Sequence, residues 1–322
     1  MKVAIIGIGA MGSLFAARLS AVAEVVVIGR WPEQLAALKK GLTLIEAGGK
    51  TTSYSIPATA HVQEVPPVDL ALVLVKSHQT EQAAEQAYLL LSEESPLNLA
   101  LTLQNGAGNL EKLEAVLGAS RSLAGITDQA ALMLEPGVVR DSGPGTIYLG
   151  SPPSHSEKAR KIQRLFTEAG FNTQLSGDIQ SLIWGKLAVN AAINPLTAIL
   201  NRPNGYIGEN KITREIMFRL ARETAEVAAT QGITLPYTDI EQHVAGVAHT
   251  TRSNRSSMLK DVLRGVRTEI EAICGEVVRK GEEYGIPTPV NALIFDMVKA
   301  IEAGKRNPDP GTDLSWILTA SV

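Results

Sequence analysis

Short aliphatic runs alternate with helical patterns over the first half of the chain. Four such runs predict buried strands, at residues 3–6, 24–28, 70–75 and 99–103. The segments that follow them predict helices, at residues 11–23, 32–40, 80–91 and 109–116. This alternation is typical of a parallel sheet that is covered by helices on both faces.

The pattern changes twice after residue 120. Glycine and proline are frequent up to residue 150, where the sequence predicts strands at 137–141 and 146–150. A predicted helix at 157–169 and a predicted strand at 172–175 follow. Long helical patterns then dominate, at 179–200, 211–231, 238–248, 257–284 and 290–303. The sequence therefore predicts an α/β fold, with a Rossmann-type dinucleotide-binding domain over residues 1–177 and a mostly α-helical substrate-binding domain over residues 178–322.

Charge and cysteine content narrow the range of partners for this chain of 322 residues. The 30 basic and 33 acidic residues give a net charge of −3, so no positive excess attracts nucleic acid or an anionic membrane. The single cysteine, Cys274, excludes an internal disulfide and suits a reducing cytoplasm. The histidines show no metal-ligand spacing, and no apolar run reaches the length of a membrane span. We expect no metal, no nucleic acid, no membrane span and a cytoplasmic location.

A dinucleotide-binding motif lies at the start of the chain. The segment Gly7-Ile8-Gly9-Ala10-Met11-Gly12 has the pattern G-x-G-x-x-G, follows a predicted strand and opens a predicted helix. In this context the glycines allow a tight turn, close approach of a pyrophosphate and close packing of helix on strand. The first backbone N–H groups of the helix then face the phosphates.

The end of the second predicted strand favours NADP over NAD. Sites for NAD usually carry Asp or Glu at this position to hold the ribose 2′-hydroxyl. This chain has Arg30 there, and a guanidinium binds a 2′-phosphate bidentately. Lys76, at the end of the third strand, adds a second positive charge. The alternatives are a surface arginine at position 30 and, through the nearby Glu33, an NAD site.

Polar residues recur every four positions on the apolar helix predicted at 179–200. Lys186, Asn190 and Asn194 form one stripe on that helix. Such a stripe is typical of a helix that lines a cleft, where a lysine can donate a proton. The alternative is a surface lysine flanked by amides at a helix crossing.

A carboxylate lies beside the apolar face of the helix predicted at 257–284. Glu269 is close to Val262, Val266 and Ile273 on that helix. Burying an unpaired carboxylate is costly, so Glu269 either pairs with a cation or holds a ligand. Asn105 and Gln79 lie at the carboxyl ends of predicted strands, where open parallel sheets bind ligands. The alternative for Asn105 is an ordinary turn asparagine before a glycine.

Taken together, these residues resemble the ketopantoate reductase (2-dehydropantoate 2-reductase) family up to about residue 301. The resemblance rests on the glycine motif and on the following segments: Lys76-Ser77-His78-Gln79, Gln104-Asn105-Gly106, 184–190, 194–198, 203–205, 256–259 with Asp261, and 267–270. It implies a Rossmann domain followed by a helical domain, with the active site between them. Asp128 and Gln129 depart from the residues that the family often has at these positions.

The resemblance also implies a role for each site residue. Lys186 corresponds to the proton donor, and Glu269 to the carboxylate that holds the substrate hydroxyl and helps to position the lysine. Asn105, Asn190, Asn194 and Ser257 correspond to substrate-binding groups, and Asn105 also lies near the nicotinamide. Arg30, Lys76 and Gln79 correspond to groups that bind NADPH near its 2′-phosphate.

The activity that this resemblance implies is NADPH-dependent reduction of ketopantoate to (R)-pantoate for pantothenate and coenzyme A synthesis. Two alternatives are a related NADP-dependent 2-keto or 3-hydroxy acid dehydrogenase and a non-catalytic NADP-sensing protein. The partner is then a small 2-keto acid, and a homodimer through the helical domain is a further hypothesis.

Overall fold

In the computed structural model, which describes residues 1–304 and 307–319, the chain forms two units. Unit 1 comprises residues 1–104 and 109–179, and unit 2 comprises residues 105–108 and 180–322. The segment Asn105–Gly108 thus belongs to unit 2, although unit 1 precedes and follows it in the sequence. The predicted second domain includes residues 305–306 and 320–322, which lie outside the described residues.

Unit 1 is built on an eight-stranded sheet. Its strands are β1 (Lys2–Ile6), β2 (Glu24–Ile28), β5 (Ala58–Thr59), β6 (Leu70–Val73), β7 (Leu99–Thr102), β8 (Ser122–Thr127), β11 (Thr146–Gly150) and β12 (Asn172–Ser176). They lie in the order β12-β11-β8-β7-β6-β1-β2-β5. All neighbours are parallel except β11, which runs antiparallel to β8. The predicted Rossmann-type α/β fold is therefore confirmed.

Alternate residues of the central strands point into two separate cores. Val3 and Ile5 of β1 belong to one hydrophobic cluster, and Ala4 and Ile6 belong to the other. The helices α1 (Ala10–Leu19) and α5 (Ser156–Glu168) contribute to the first cluster. The helices α3 (Thr80–Leu90) and α4 (Asn109–Leu117) contribute to the second. Burial on both faces explains why these strands are continuous aliphatic runs rather than alternating ones.

A second, four-stranded sheet was not predicted. Its strands are β3 (Leu42–Ile45), β4 (Thr51–Tyr54), β9 (Ala131–Glu135) and β10 (Val138–Asp141), in the order β4-β3-β10-β9. Only the strand near 137–141 was expected, and β5 and β8 of the main sheet were also missed. Strands β3 and β4 contain several Thr and Ser residues and only short apolar stretches, so they lack the aliphatic run that marks a strand buried on both faces. The short helix α2 (Pro32–Leu38) lies at the predicted position.

Unit 2 is mostly helical, as predicted. Its helices are α6 (Ile179–Leu200), α7 (Asn204–Glu209), α8 (Lys211–Thr230), α9 (Ile240–Thr250), α10 (Ser257–Leu263), α11 (Cys274–Tyr284), α12 (Pro289–Glu302) and α13 (Trp316–Thr319). Helix α6 is long and apolar enough to cross a bilayer, but 72% of its most apolar window is buried inside the protein. This burial accounts for its composition without a membrane.

The prediction of one helix over residues 257–284 is wrong. Helix α10 ends at Leu263, and Gly265 follows with φ +66°. The Val266 N–H donates to the Asp261 carbonyl oxygen at 3.1 Å, which is the six-to-one bond of a Schellman C-cap. Val266 is 48% exposed and is not part of an apolar stripe. A glycine in the left-handed conformation thus ends the helix at a point where the apolar spacing predicted that it continues.

Candidate active site

The three glycines of the loop between β1 and α1 differ in the space around them: a side chain would clash at Gly7 and Gly12 but not at Gly9. Gly7 has φ +125°, and a Cβ there would lie 2.7 Å from the Leu74 backbone carbonyl. A Cβ on Gly12 would lie 1.8 Å from the Gly7 oxygen, so helix and strand pack closely. A Cβ on Gly9, in contrast, would meet nothing within 4 Å. With no acidic residue in the first turn of α1, this open space at a helix N-terminus fits a pyrophosphate.

Two cations follow the strands on either side of β1. Arg30 is exposed two residues after β2, and Lys76 is partly exposed ahead of the 3₁₀ turn Ser77–Gln79 that follows β6. With its amide oxygen turned toward the guanidinium, Gln82 accepts from Arg30 Nη1 at 3.0 Å and Nη2 at 3.3 Å. Gln82 was not predicted as a site residue. Arg30, Lys76 and Gln79 all lie at the carboxyl edge of the parallel strands, where such sheets bind ligands.

Asn105 and Glu269 are brought together within unit 2. The Asn105 side-chain Nδ2 donates to Glu269 Oε2 at 3.2 Å. Glu269 is 7% exposed, so the expectation that it is buried is confirmed, although it lies at the start of a 3₁₀ turn (Ile270–Ala272) and not within a long helix. A buried carboxylate is stabilised by such donors.

Backbone contact explains why a glycine follows Asn105. The Ala107 N–H donates to the Ala272 carbonyl oxygen at 3.0 Å. A Cβ on Gly106 would lie 2.3 Å from that same oxygen, and Gly106 has φ +88°. Only glycine fits this conformation and this approach. The segment Asn105–Gly108 therefore lies against the turn that begins at Glu269.

Lys186, Asn190 and Asn194 lie on one face of α6, as predicted. Beyond Ser181, the described residues of α6 that are not buried are Leu182, Lys186, Val189, Asn190 and Asn194. Their spacing of three and four residues makes one accessible stripe on an otherwise buried helix. Just before Lys186, a Cβ on Gly185 would lie 2.7 Å from the Pro236 ring, so the chain packs tightly at this point.

Ser257 is placed by its neighbour, Ser256. Ser257 is exposed at the start of α10, whereas Ser256 is buried and its Oγ accepts from the Leu259 N–H at 3.0 Å as the N-cap. Thr197 Oγ1 donates to the Asn194 carbonyl oxygen at 2.7 Å and lies 2.6 Å from Ser256 Oγ. Either hydroxyl can be the donor of the bond between them, because both also lie within reach of the Asn194 carbonyl oxygen. These bonds tie the start of α10 to α6 near Asn194, and the sequence analysis had given Ser256 and Thr197 no role.

Gln129 forms hydrogen bonds within unit 1 that account for its presence there. It is buried, and its Nε2 donates to Asp141 Oδ1 at 2.7 Å and to the Gly143 carbonyl oxygen at 2.8 Å. Asp141 also pairs with Arg18. Asp128 is exposed. The departure from the family pattern at Gln129 is thus accommodated by a connection between strands.

A charged network holds the residue before Glu269. Glu302 Oε1 accepts from the Thr268 N–H and from Thr268 Oγ1, both at 2.7 Å. Lys299 Nζ donates to Glu302 Oε2 and to Glu271 Oε1, both at 2.9 Å. Burial raises the pKa of Glu302, but the hydrogen bonds from Lys299 and Thr268 outweigh this and hold the pKa below its ordinary value.

The lowered pKa of Glu302 predicts a dependence of stability on acid. Its contribution is complete above the ordinary carboxyl pKa of 4.5 and is lost as the pH falls through the lower value of the folded state. We expect Glu302→Gln to lower the Tm at pH 7, and the difference in Tm from wild type to shrink as the pH falls below 4.5. Thermal unfolding of both proteins across this range measures it. A constant difference would contradict the assignment.

Comparison with known proteins identifies the family. The model described as Ketopantoate reductase PanE/ApbA matches residues 3–154, and Ketopantoate reductase PanE/ApbA C terminal matches residues 178–302. The 2-dehydropantoate 2-reductase of Archaeoglobus fulgidus is 35% identical over 94% of this chain and 98% of its own length. The chain belongs to the ketopantoate reductase family. The resemblance found in the sequence is confirmed, and the chain is an oxidoreductase.

Solved structures of the family share the whole fold. A PanE/ApbA family ketopantoate reductase from Ralstonia eutropha JMP134 is 32% identical with a TM-score of 0.86, covering 95% of this chain and 99% of that one. The ternary structure of D-mandelate dehydrogenase with NADH and anilino(oxo)acetate is 29% identical with a TM-score of 0.87, covering 94% of this chain and 99% of that one. The family is thus one of dinucleotide-dependent reductases, with different 2-oxo acids named among its relatives.

Proposed function

We propose that this protein reduces ketopantoate to (R)-pantoate with NADPH, in the cytoplasm, as a step toward pantothenate and coenzyme A. The relatives named 2-dehydropantoate 2-reductase support the reaction. The structural observation that carries the proposal is the pair formed by Asn105 and the buried Glu269, in the same unit as the Lys186 stripe. A buried carboxylate with an amide partner suits the recognition of a substrate hydroxyl.

Unit 1 supplies the groups that would hold the cofactor. The open side of Gly9 and the first N–H groups of α1, from Ala10 to Gly12, would take the pyrophosphate. Arg30 and Lys76 would neutralise the 2′-phosphate, with Gln79 as a further contact. When bound, NADPH supplies the hydride that the reaction needs.

Unit 2 supplies the acid–base and binding groups. We assign to the Lys186 ammonium the proton that goes to the 2-oxygen, because negative charge develops on that atom as the carbonyl is reduced. Asn190, Asn194 and Ser257 would donate to the substrate carboxylate and carbonyl, since amides and hydroxyls serve as donors to such oxygens. Glu269 would accept from the substrate hydroxyl and keep Lys186 in place.

A second candidate is reduction of a bulkier 2-keto acid with NADH. The likeness to D-mandelate dehydrogenase with NADH favours it, since that structure covers nearly the whole chain. Glu33, near Arg30, is the residue that an NAD site would use. A panel separates these candidates: oxidation of NADPH and of NADH is followed with ketopantoate, phenylglyoxylate and pyruvate.

The proposed reductase is expected to show its highest kcat/KM with ketopantoate and NADPH. A preference for phenylglyoxylate or for NADH would favour the second candidate. Binding of NADPH with no oxidation by any member of the panel would leave only a sensing role. Analytical ultracentrifugation of the same sample tests the separate hypothesis of a homodimer.

Arg30→Ala is expected to lower kcat/KM for NADPH by about 10- to 100-fold, because a charge-assisted bond to a phosphate contributes about 1.5–3 kcal/mol. The value for NADH should change by no more than about twofold, since that cofactor lacks the phosphate. Initial rates with both cofactors measure the ratio. Arg160→Ala, at an exposed arginine of α5, is the matched control. Equal losses with both cofactors would show that Arg30 does not read the 2′-phosphate.

A further inference from the structure

One threonine hydroxyl links the two residues that flank the segment Asn105–Gly108. Thr80 Oγ1 accepts from Gln104 Nε2 at 2.9 Å. As a donor it has two acceptors within reach, the Ser77 carbonyl oxygen at 2.8 Å and Asn109 Oδ1 at 3.0 Å. Gln104 is the last residue before the segment and Asn109 is the first after it. Thr80 is 0% exposed and Asn109 is 5% exposed, so the contact between them is shielded from water, whereas the bond from Gln104 is partly buried. We call Thr80, Gln104 and Asn109 the Thr80 clamp.

Both the nitrogen and the oxygen of the Gln104 side-chain amide form hydrogen bonds. Its Nε2 also donates to the Val75 carbonyl oxygen at 2.8 Å, and its Oε1 accepts from Thr102 Oγ1 at 2.9 Å. Gln104 therefore joins the end of β7 to the stretch that follows β6. The next residue after Val75 is Lys76, and the next after Gln104 is Asn105. The clamp thus fixes the backbone immediately before one proposed cofactor-binding group and one proposed substrate-binding group.

The segment is hydrogen-bonded to the turn after Glu269 through Asn105 and Ala107, but two of its four residues are glycines. Gly106 and Gly108 have φ +88° and +80°, and glycine is the residue with the most backbone freedom. The bond from Asn105 to Glu269 depends on where the segment starts, because a misplacement of about 1 Å at a reacting site can cost about 100-fold in rate. The hydrogen bonds of Gln104 at one end and of Asn109 at the other add a constraint that the glycines do not provide.

We propose that the Thr80 clamp is a positioning device for the site. Gln104 and Thr80 fix the backbone that precedes Lys76 and the backbone that precedes Asn105, and Asn109 fixes the backbone that follows the segment. The inference rests on the proposed function and extends it to residues that touch neither substrate nor cofactor. A clamp of this kind makes two separable contributions: Gln104 acts on cofactor binding and on turnover, whereas Asn109 acts on turnover alone.

Thr80→Val tests the clamp, because valine keeps the shape of threonine and removes the hydroxyl. We expect Thr80→Val to weaken NADPH binding by about 3- to 10-fold and to lower kcat by about 10- to 100-fold. NADPH affinity is measured by equilibrium fluorescence titration without substrate, and kcat by steady-state rates. Thr80→Ser restores the hydroxyl and should return both values to within about threefold of wild type.

Two further variants separate positioning from loss of stability. Asn109→Ala should lower kcat by about 10-fold and leave NADPH affinity within about twofold, because Gln104 still holds Val75. Thr173→Val removes a hydroxyl from another buried threonine, on β12, whose bond to the Phe171 carbonyl oxygen is 3.4 Å long. Thr173→Val should leave kcat and NADPH affinity unchanged. Its Tm measures how much a buried Thr→Val change lowers the stability of the protein.

The outcomes distinguish this inference from the proposed function. If wild type reduces ketopantoate and Thr80→Val keeps both kcat and NADPH affinity within about twofold, the clamp has no positioning role. If Thr80→Ser does not restore activity, or if Asn109→Ala weakens NADPH binding as much as Thr80→Val does, the division of roles is wrong. If wild type fails to reduce ketopantoate, the proposed function fails first, and the titrations with NADPH still test the part of the clamp that acts on Lys76.

Discussion

Replacement of Lys186 by alanine is expected to lower kcat for ketopantoate reduction by about 10²- to 10⁴-fold, the range that a positioned general acid supplies. NADPH affinity should stay within about twofold, because Lys186 is assigned to the substrate oxygen and not to the cofactor. The physical reason is that negative charge develops on the 2-oxygen, and no other cation is assigned to that atom. Single-turnover rates and an equilibrium titration measure the two quantities separately.

Two control variants sharpen this test. Lys211→Ala removes an exposed lysine at the start of α8 and should leave kcat unchanged. Lys186→Arg keeps the positive charge but holds its proton far more tightly, so it should recover binding of the substrate anion and little of the rate. Near-wild-type turnover in Lys186→Ala would remove the lysine from the mechanism. A parallel loss of NADPH affinity would assign it to cofactor binding.

Glu269→Gln is expected to lower kcat/KM for ketopantoate by about 10- to 100-fold. Glutamine has the same shape, and its carbonyl oxygen still accepts from Asn105 Nδ2, which lies 3.2 Å from the carboxylate in the wild type. The variant therefore removes the charge and keeps the hydrogen bond. A charged acceptor contributes about 1.5–3 kcal/mol to a hydrogen bond, which is the source of the expected loss.

The Tm of Glu269→Gln distinguishes a role of Glu269 in the site from a role in the stability of the fold. Glutamine has the same shape and keeps the hydrogen bond from Asn105 Nδ2, so the Tm of the variant should stay close to that of wild type. Glu282→Gln, at an exposed position of α11, is the matched control. Unchanged kcat/KM together with a lower Tm would make Glu269 a structural residue only.

Several features could be predicted from local sequence because each lies within a single strand, helix or loop. The two-sided burial of β1 follows from its aliphatic run, and the stripe of Lys186, Asn190 and Asn194 follows from the helical repeat of α6. The glycine loop follows from its place between strand and helix. In each case the residues are close in sequence, so backbone geometry alone fixes their relation.

The position of Glu269 could not be predicted from the local sequence. Its burial was expected from an apolar stripe that the structure does not contain, since Gly265 ends the helix. Gly265 was itself the available signal, because a glycine in this position commonly ends a helix. The position of Glu269 is set instead by the turn Ile270–Ala272 and by the contact of that turn with Asn105–Gly108.

Short stretches of sequence were sufficient to predict the class of fold, the dinucleotide motif and the family, because each depends on residues a few positions apart. Three relations became visible only in the folded chain: Asn105 contacts Glu269, 164 residues away; Thr80 joins Gln104 to Asn109; and four short strands form a second sheet. These relations arise from packing between distant segments, whose free energy depends on surfaces that meet after folding and leaves no periodic trace along the chain.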